Sequence, residues 1–427
     1  MRDIVLFIVI YGSLPVCFLR PWIGVLVFSW ISYMNPHRLT WSTAYEYPFA
    51  KIVAIVTLAG LFFTKDRMRI PKTNETILIV LLGCYFTLTN FYAFNPPAAW
   101  LQWQKVIKIL AMTLVTIAVI NSEVKLKYLV LVIAFSVGFF GIKGGIFSIL
   151  TGGQYIVFGP DKSFFQENND LALALNMVLP MFYYLAREEK SERLKLALWI
   201  GLGLNFIAII FTYSRGGFLT LAGILFIFLM KSKKKVLAGV IAALTIIVAI
   251  TYIPSQWLDR MGTIQDYEQD SSAMGRLNAW ATAWNLAKDR PLTGGGFETF
   301  FGRVFNRYSP DPSNVHDVHS VYFEVLGEHG FIAFGMFMAL IIYTLLSTKR
   351  LKETVGNNKN MNWVINYANM FQMSLFAFMI GGTFLGRAYF DLFYHIIAMV
   401  VIMKVFVERE TALAGSNGKV SPDSTHS

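Results

Sequence analysis

Pro254-Ser255-Gln256-Trp257 opens, and His316-Asp317-Val318-His319-Ser320-Val321-Tyr322-Phe323-Glu324 closes, the one long polar excursion of an otherwise apolar chain. Between them run Asp266-Tyr267-Glu268-Gln269-Asp270, Met274-Gly275-Arg276-Leu277-Asn278-Ala279-Trp280 and Gly294-Gly295-Gly296. Apolar segments press on residues 254–330 from both sides, which predicts a loop domain fixed at a membrane surface. A loop longer than about 15 residues in a compact protein is usually functional or disordered. This one mixes aromatics, glycines and ionisable groups, and it is expected to hold the active site.

Outward from that stretch, hydrophobic residues make up 55% of the 427 and charged residues only 15%, against about 25% charged in soluble domains. Runs of roughly 17–25 apolar residues, each long enough to cross a bilayer, recur throughout. The alternating pattern of a membrane β-barrel is absent. The expected fold class is an all-α polytopic integral membrane protein of about twelve transmembrane helices with one large extracytoplasmic loop domain. The candidate spans are 4–19, 50–64, 76–94, 105–120, 127–150, 171–186, 195–213, 216–230, 236–253, 320–346, 364–385 and 388–407. Segment 22–34 is apolar but short, a length that suits a re-entrant piece as well as a thirteenth crossing. The chain thus divides into an N-terminal bundle (1–253), a large periplasmic loop (254–318), C-terminal transmembrane helices (319–407) and a disordered cytoplasmic tail (408–427).

Cys17 and Cys84 both fall in apolar segments, which suits small buried hydrophobes better than a disulfide. The net charge of +11 sits in short loops between spans, where it serves orientation and not nucleic acid. No small-residue cleavage site follows residues 4–19, so no cleavable signal peptide is expected. Lys65, Arg67, Arg69 and Lys72 share a side with Lys125 and Lys127. By alternation that side also holds Arg187, Lys190, Arg193 and Lys195, then Lys231 and Lys233 to Lys235, then Lys349, Arg350 and Lys352. The positive-inside rule makes it cytoplasmic. The opposite side receives Asn95-Pro96-Pro97, loop 152–170, the Tyr213-Ser214-Arg215-Gly216-Gly217 turn, the large loop and Gly386-Arg387. Nucleotide cofactors are lacking there, and Gly294-Gly295-Gly296 has no strand–turn–helix context for a phosphate loop.

Arg215, between two spans, is costly at a membrane boundary unless it meets an anion or water. It reads equally as a snorkelling helix-end arginine and as an anion site opened by Gly216 and Gly217. Arg276, with Trp280 one helical turn on, is either a surface arginine stacked on an indole or a second phosphate fork. Arg303 and Arg307 are weaker versions of the same idea. His319, at the edge of an apolar run, can titrate near neutral pH or simply cap the span. His316, Asp317 and His319 lack metal-site spacing, so no metal is expected. Of Glu324, Glu328 and His329, at least one must face a polar cavity. Lys143 and the i,i+4 pair Arg387/Asp391 are further intramembrane charges.

The run from His319 through Glu324 and Glu328 to Gly330 resembles the motif of the O-antigen ligase and polymerase superfamily, in which a large periplasmic loop leads into such a histidine. Arg276 with Trp280, Pro291 and Gly294 to Gly296 is similar to that family's loop pattern. Ser214-Arg215-Gly216-Gly217, Asn168-Asn169-Asp170 and Pro180 match other landmarks. Met34-Asn35-Pro36-His37-Arg38-Leu39-Thr40-Trp41 looks like the O-glycosylation ligase branch associated with exosortase systems. Ser320 departs from the pattern, since asparagine is common there.

The resemblance implies transfer of a glycan from an undecaprenyl-diphosphate donor to a hydroxyl acceptor (lipid A core, protein or growing glycan), at the periplasmic face of a bacterial inner membrane and without a cofactor. The residues fit that chemistry. Arg215 and Arg276 would bind the diphosphate, His319 would take the acceptor proton, and Glu328, Trp280, Asn169 and Lys143 would support them. A polysaccharide polymerase of the same superfamily, or a lipid-linked glycan transporter, is the alternative. A transporter does not need a large loop ending in a histidine, and no internal repeat is visible. A scaffold without chemistry leaves Arg215, Arg276 and His319 unexplained.

Overall fold

The computed structural model describes residues 2–64, 70–231, 271–356, 358 and 361–417. Fourteen α-helices and no strand lie among these residues: α1 (Arg2–Leu19), α2 (Pro21–Met34), α3 (Phe49–Leu61), α4 (Asn74–Asn90), α5 (Pro96–Val119), α6 (Glu123–Leu150), α7 (Asn168–Glu188), α8 (Glu192–Phe211), α9 (Arg215–Lys231), α10 (Ser271–Asp289), α11 (Gly302–Tyr308), α12 (Val321–Val355), α13 (Asn362–Gly381) and α14 (Asp391–Asn417). Every expected span that falls on described residues is helical; segment 236–253 lies outside them. By length and composition, α1, α5, α6, α8, α12 and Asn362–Phe384 can each cross a membrane, and α2 and α3 are shorter apolar helices. Residues 22–34 form a complete helix within α2.

Three sequence expectations change. The large loop is not irregular backbone: its described part contains α10 and α11, because Ala279, Ala283, Leu286 and Ala287 give α10 a fully buried face against α12. Arg215 is the first residue of α9, not a free turn. The tail expected to be disordered from 408 continues α14 to Asn417; residues 418–427 lie outside the described part.

Helix α7 is buried along nearly its whole length and packs against α6, α8, α9 and α13. Several of its polar side-chain atoms are paired inside the protein, as lipid surroundings favour. Asn176 Nδ2, for instance, donates to the carbonyls of Ala172 (2.8 Å) and Gly217 (3.1 Å). Small residues let the helices approach. A Cβ on Gly145 of α6 would lie 2.3 Å from the Leu204 carbonyl of α8, and one on Gly217 would lie 2.5 Å from the Ala172 Cβ.

Polar contacts gather the helix ends into two groups. At one end, Lys127 pairs with Glu189 (2.9 Å), Lys231 donates to Gln372 (2.7 Å), and buried Glu75 accepts from Ser347 and faces Lys404 (3.5 Å). At the other, Arg290 donates to the Tyr92 carbonyl (2.8 Å), Asn168 to the Thr212 carbonyl (2.8 Å) and Tyr213 to the Gly153 carbonyl (2.5 Å). Among the described residues, Lys127 and Lys231 thus belong to the first group of helix ends, and Asn168, Tyr213 and Arg290 to the second.

Helix α12 is interrupted at Gly330, whose φ of 76° and ψ of −173° are open in practice only to glycine. The break frees backbone groups, and the glycine run of the loop takes them up. Gly295 N donates to the Gly327 carbonyl (2.9 Å), Gly296 N to the Glu328 carbonyl (2.7 Å) and Phe331 N to the Pro291 carbonyl (2.9 Å). Gly294 and Gly296 have positive φ, and side chains there would strike Glu328 and Ala93. The three glycines serve backbone-to-backbone docking of the loop onto the broken helix. Gly330→Ala combines strain of about 1–3 kcal/mol with a Cβ 2.4 Å from the Pro291 carbonyl. Its unfolding temperature in detergent is expected to fall clearly, whereas Gly335→Ala, with open space around its Cβ, should leave it unchanged.

Candidate active site

The chain reaches His319 along an extended segment anchored from α10. Trp280 Nε1 donates to the Val318 carbonyl (2.8 Å), and its indole stacks on Phe323 at 5.1 Å. Asn278 donates to the Asp311 and Asn314 carbonyls (2.8 and 2.9 Å), tying down the preceding loop. The His316 ring lies over Gly275, where a Cβ would approach it to 2.8 Å. His319 itself has φ 40°. That left-handed conformation costs an L-residue about 1–2 kcal/mol and persists where the surroundings over-determine it, often at functional sites. Ser320 is the N-cap of α12 by backbone only, so the strained residue is not required as a side-chain cap.

His319 Nδ1 lies 3.8 Å from Asp317 Oδ2. Burial pushes the His319 imidazole below its usual range; Asp317 and Asp170 act against that, while Arg276 and Arg387 act with it. A histidine so placed is neutral at pH 7 and available to accept a proton. Asp170, at the start of α7, receives a bidentate fork from Arg387: Nε to Oδ1 at 2.8 Å and Nη2 to Oδ2 at 2.5 Å. The i,i+4 pairing of Arg387 with Asp391 read from the sequence is thereby corrected, since the bidentate partner is 217 residues away. Beside Asp170, Asn169 Oδ1 accepts from Ser214 Oγ (2.6 Å), which also caps α9 by accepting from Gly217 N (3.0 Å). Arg215 follows Ser214 as the first residue of α9 and is not among the residues that line the cavity.

Next to His319 opens a cavity of ≈ 270 Å³ whose walls include Glu298, Asp317, Glu324, Glu328, Arg387 and Tyr389. Glu328 is buried and fully engaged: Oε1 accepts from Glu298 N (2.7 Å) and Oε2 from Tyr389 OH (2.5 Å). Glu324, one turn earlier, accepts from Ala388 N (2.8 Å). His329 is wholly buried; it shares a hydrogen bond with Thr89 (2.7 Å) and contacts Phe86 and Phe297, each at 4.4 Å. It supports the fold beside the cavity.

The structure thus brings together His319, Arg276, Asp317 and Asp170 with Glu324, Glu328 and Arg387. Trp280 and Asn169 position segments of this site. Lys143 is not drawn in: its neighbours Gly144 and Gly145 pack inward on Val157 and Leu204, while Lys143 lies on the exposed face of α6. Arg303 is exposed, and Arg307 is held by Asp289 (3.2 Å), so neither offers a phosphate fork here. No cluster of three metal-ligating side chains occurs among the described residues. Sequence reading missed Glu298 and Tyr389. The only local signal for Glu298 is its place just after the triple glycine, where it adopts φ 56°.

Fold and site together define a multi-pass helical membrane protein with a charged cavity at one end of its bundle. Residues 197–338 match the family model described as O-antigen ligase, so the chain carries a domain of the O-antigen ligase and polymerase superfamily. Residues 1–190 match a family of unknown function. No curated protein matches the chain. Arg215, Arg276, Trp280, His319 and Glu328 fall inside the ligase match; Arg387 and Tyr389 lie beyond both.

Proposed function

We propose that this protein transfers a glycan from undecaprenyl diphosphate to a hydroxyl acceptor at the extracytoplasmic face of a bacterial inner membrane. The observation that carries the reading is His319, held in a strained backbone within the ligase domain, beside a cavity and in the field of Arg276 and Arg387. In the reaction the acceptor oxygen attacks the anomeric carbon as the bond from that carbon to the diphosphate oxygen breaks. His319 takes the acceptor proton. Diphosphate is a good leaving group, so catalysis needs cations more than a strong acid, and Arg215 and Arg276 supply them. A single displacement inverts the anomeric configuration. The product lipid is undecaprenyl diphosphate.

A superfamily polymerase differs only in using the growing glycan as acceptor. In cells lacking the protein, the lipid-linked glycan is expected to accumulate while one glycosylated product disappears; unchanged levels of both contradict the reading. The bundle is taken to cross the membrane about twelve times, with the site end outside. In a background with Cys17 and Cys84 replaced, Pro312→Cys should react with an impermeant thiol reagent in intact spheroplasts and Glu192→Cys should not. The reverse pattern overturns the orientation.

A further inference from the structure

The segment between α13 and α14 is pinned to the site almost residue by residue. Gly386 lies so close to the His319 backbone that a Cβ would sit 3.3 Å from Asp317 Oδ2 and 3.6 Å from His319 N. Arg387 forks Asp170, Ala388 N donates to Glu324, and Tyr389 OH donates to Glu328. Tyr389 further packs against Phe297 at 5.0 Å and Phe86 at 5.6 Å. Three of these four successive residues, Gly386, Arg387 and Tyr389, therefore line the cavity from outside the ligase match.

Among these residues Arg387 is unequally paired. The Asp170 side chain is 5% exposed, whereas that of Arg387 is 39% exposed and lines the cavity. A guanidinium carries five N–H donors, and the fork uses two, so three remain. An ion pair meant only to hold two segments together gains nothing from a cation left open on one side. The other walls carry the acidic side chains of Glu298, Asp317, Glu324 and Glu328, which offer no cation to a phosphate. Arg387 is the point on that surface where an anionic oxygen is favoured.

From this we infer that Arg387, oriented by Asp170, is a substrate-contacting residue that donates to the diphosphate of the lipid-linked donor and fixes which way the sugar faces. The inference rests on the glycosyl-transfer reading for its turnover consequences. The contact itself can be measured separately, by binding of undecaprenyl diphosphate to the purified full-length protein.

Arg387→Gln is expected to weaken that binding at least tenfold and to lower kcat/KM for the donor by a hundredfold or more. Arg387→Lys, which keeps the charge and loses the fork, should fall between and remains measurable if the glutamine variant does not fold. The exchange Asp170→Arg with Arg387→Asp restores an ion pair but moves the cation out of position. It should recover thermal stability relative to either single change without recovering donor binding or turnover. Recovery of both in the exchanged variant shows a purely structural latch and overturns the proposal, as does wild-type affinity in folded Arg387→Gln or Arg387→Lys protein. A wild-type protein that binds undecaprenyl diphosphate in an Arg387-dependent way but transfers no glycan contradicts the transferase reading and leaves this contact standing. Failure of the wild type to bind undecaprenyl diphosphate at all overturns the contact.

Discussion

Replacing His319 by alanine or asparagine is expected to lower glycan transfer by about 10²–10⁴-fold, the usual contribution of a positioned base. Asparagine is the more informative change, because it tolerates the left-handed backbone found at position 319 and cannot serve as the base. The variant should insert, extract as a single species, unfold at the wild-type temperature and bind the donor. If His319 mattered only for folding, residual activity would instead track the folded fraction. The pH profile separates the roles further. Burial, opposed by Asp317, sets the imidazole below its ordinary range, so the neutral, active form is lost only as pH falls through that lowered value. Asp317→Asn removes an influence that raises the value and should move the acidic limb to lower pH.

Arg276→Ala is expected to cost about 2–4 kcal/mol of transition-state stabilisation, the range found when a preorganised donor to developing charge is removed. At 1.36 kcal/mol per tenfold, that is about 30- to 1,000-fold in kcat/KM for the donor. Arg276→Lys should recover only part of it, because an ammonium cannot form a bidentate fork. Arg276 also pushes the His319 imidazole down, so its removal should shift the acidic limb upward, opposite to the Asp317→Asn shift. Normal turnover and an unmoved limb in folded Arg276→Ala protein would refute its placement. Arg215→Ala is expected to lose donor affinity in the same assay.

The sequence announced the membrane class and the helical segments because apolar length is a local property: α6 and α12 are legible as long apolar stretches despite Lys143 in the one and Glu324 and Glu328 in the other. Helix α10 was not, since the face it buries is made of alanines and one leucine inside a polar composition. His319, Arg276 and Glu328 were legible as chemistry-bearing residues at the junction of a polar stretch and a span. The Arg387 partner was not, because Asp391 stands at helical spacing whereas Asp170 is reached only through the tertiary fold. The triple glycine showed only that it lacks the context of a phosphate loop; its partners, the Gly327 and Glu328 carbonyls next to the break at Gly330, are brought to it by the tertiary fold. Lys143 misled for the converse reason: its glycine-rich surroundings reflect close packing of α6 on α8, and the charge itself faces outward.

The most direct test is turnover of purified, reconstituted protein with lipid-linked glycan donor extracted from the producing cells and a membrane extract of the same cells as acceptor source. The account predicts one undecaprenyl diphosphate released per glycan transferred, inversion at the transferred anomeric carbon, and loss of both signals in folded His319→Asn protein. Movement of the donor across the bilayer with its glycan still attached, or release at the wild-type rate from folded His319→Asn protein, would contradict it.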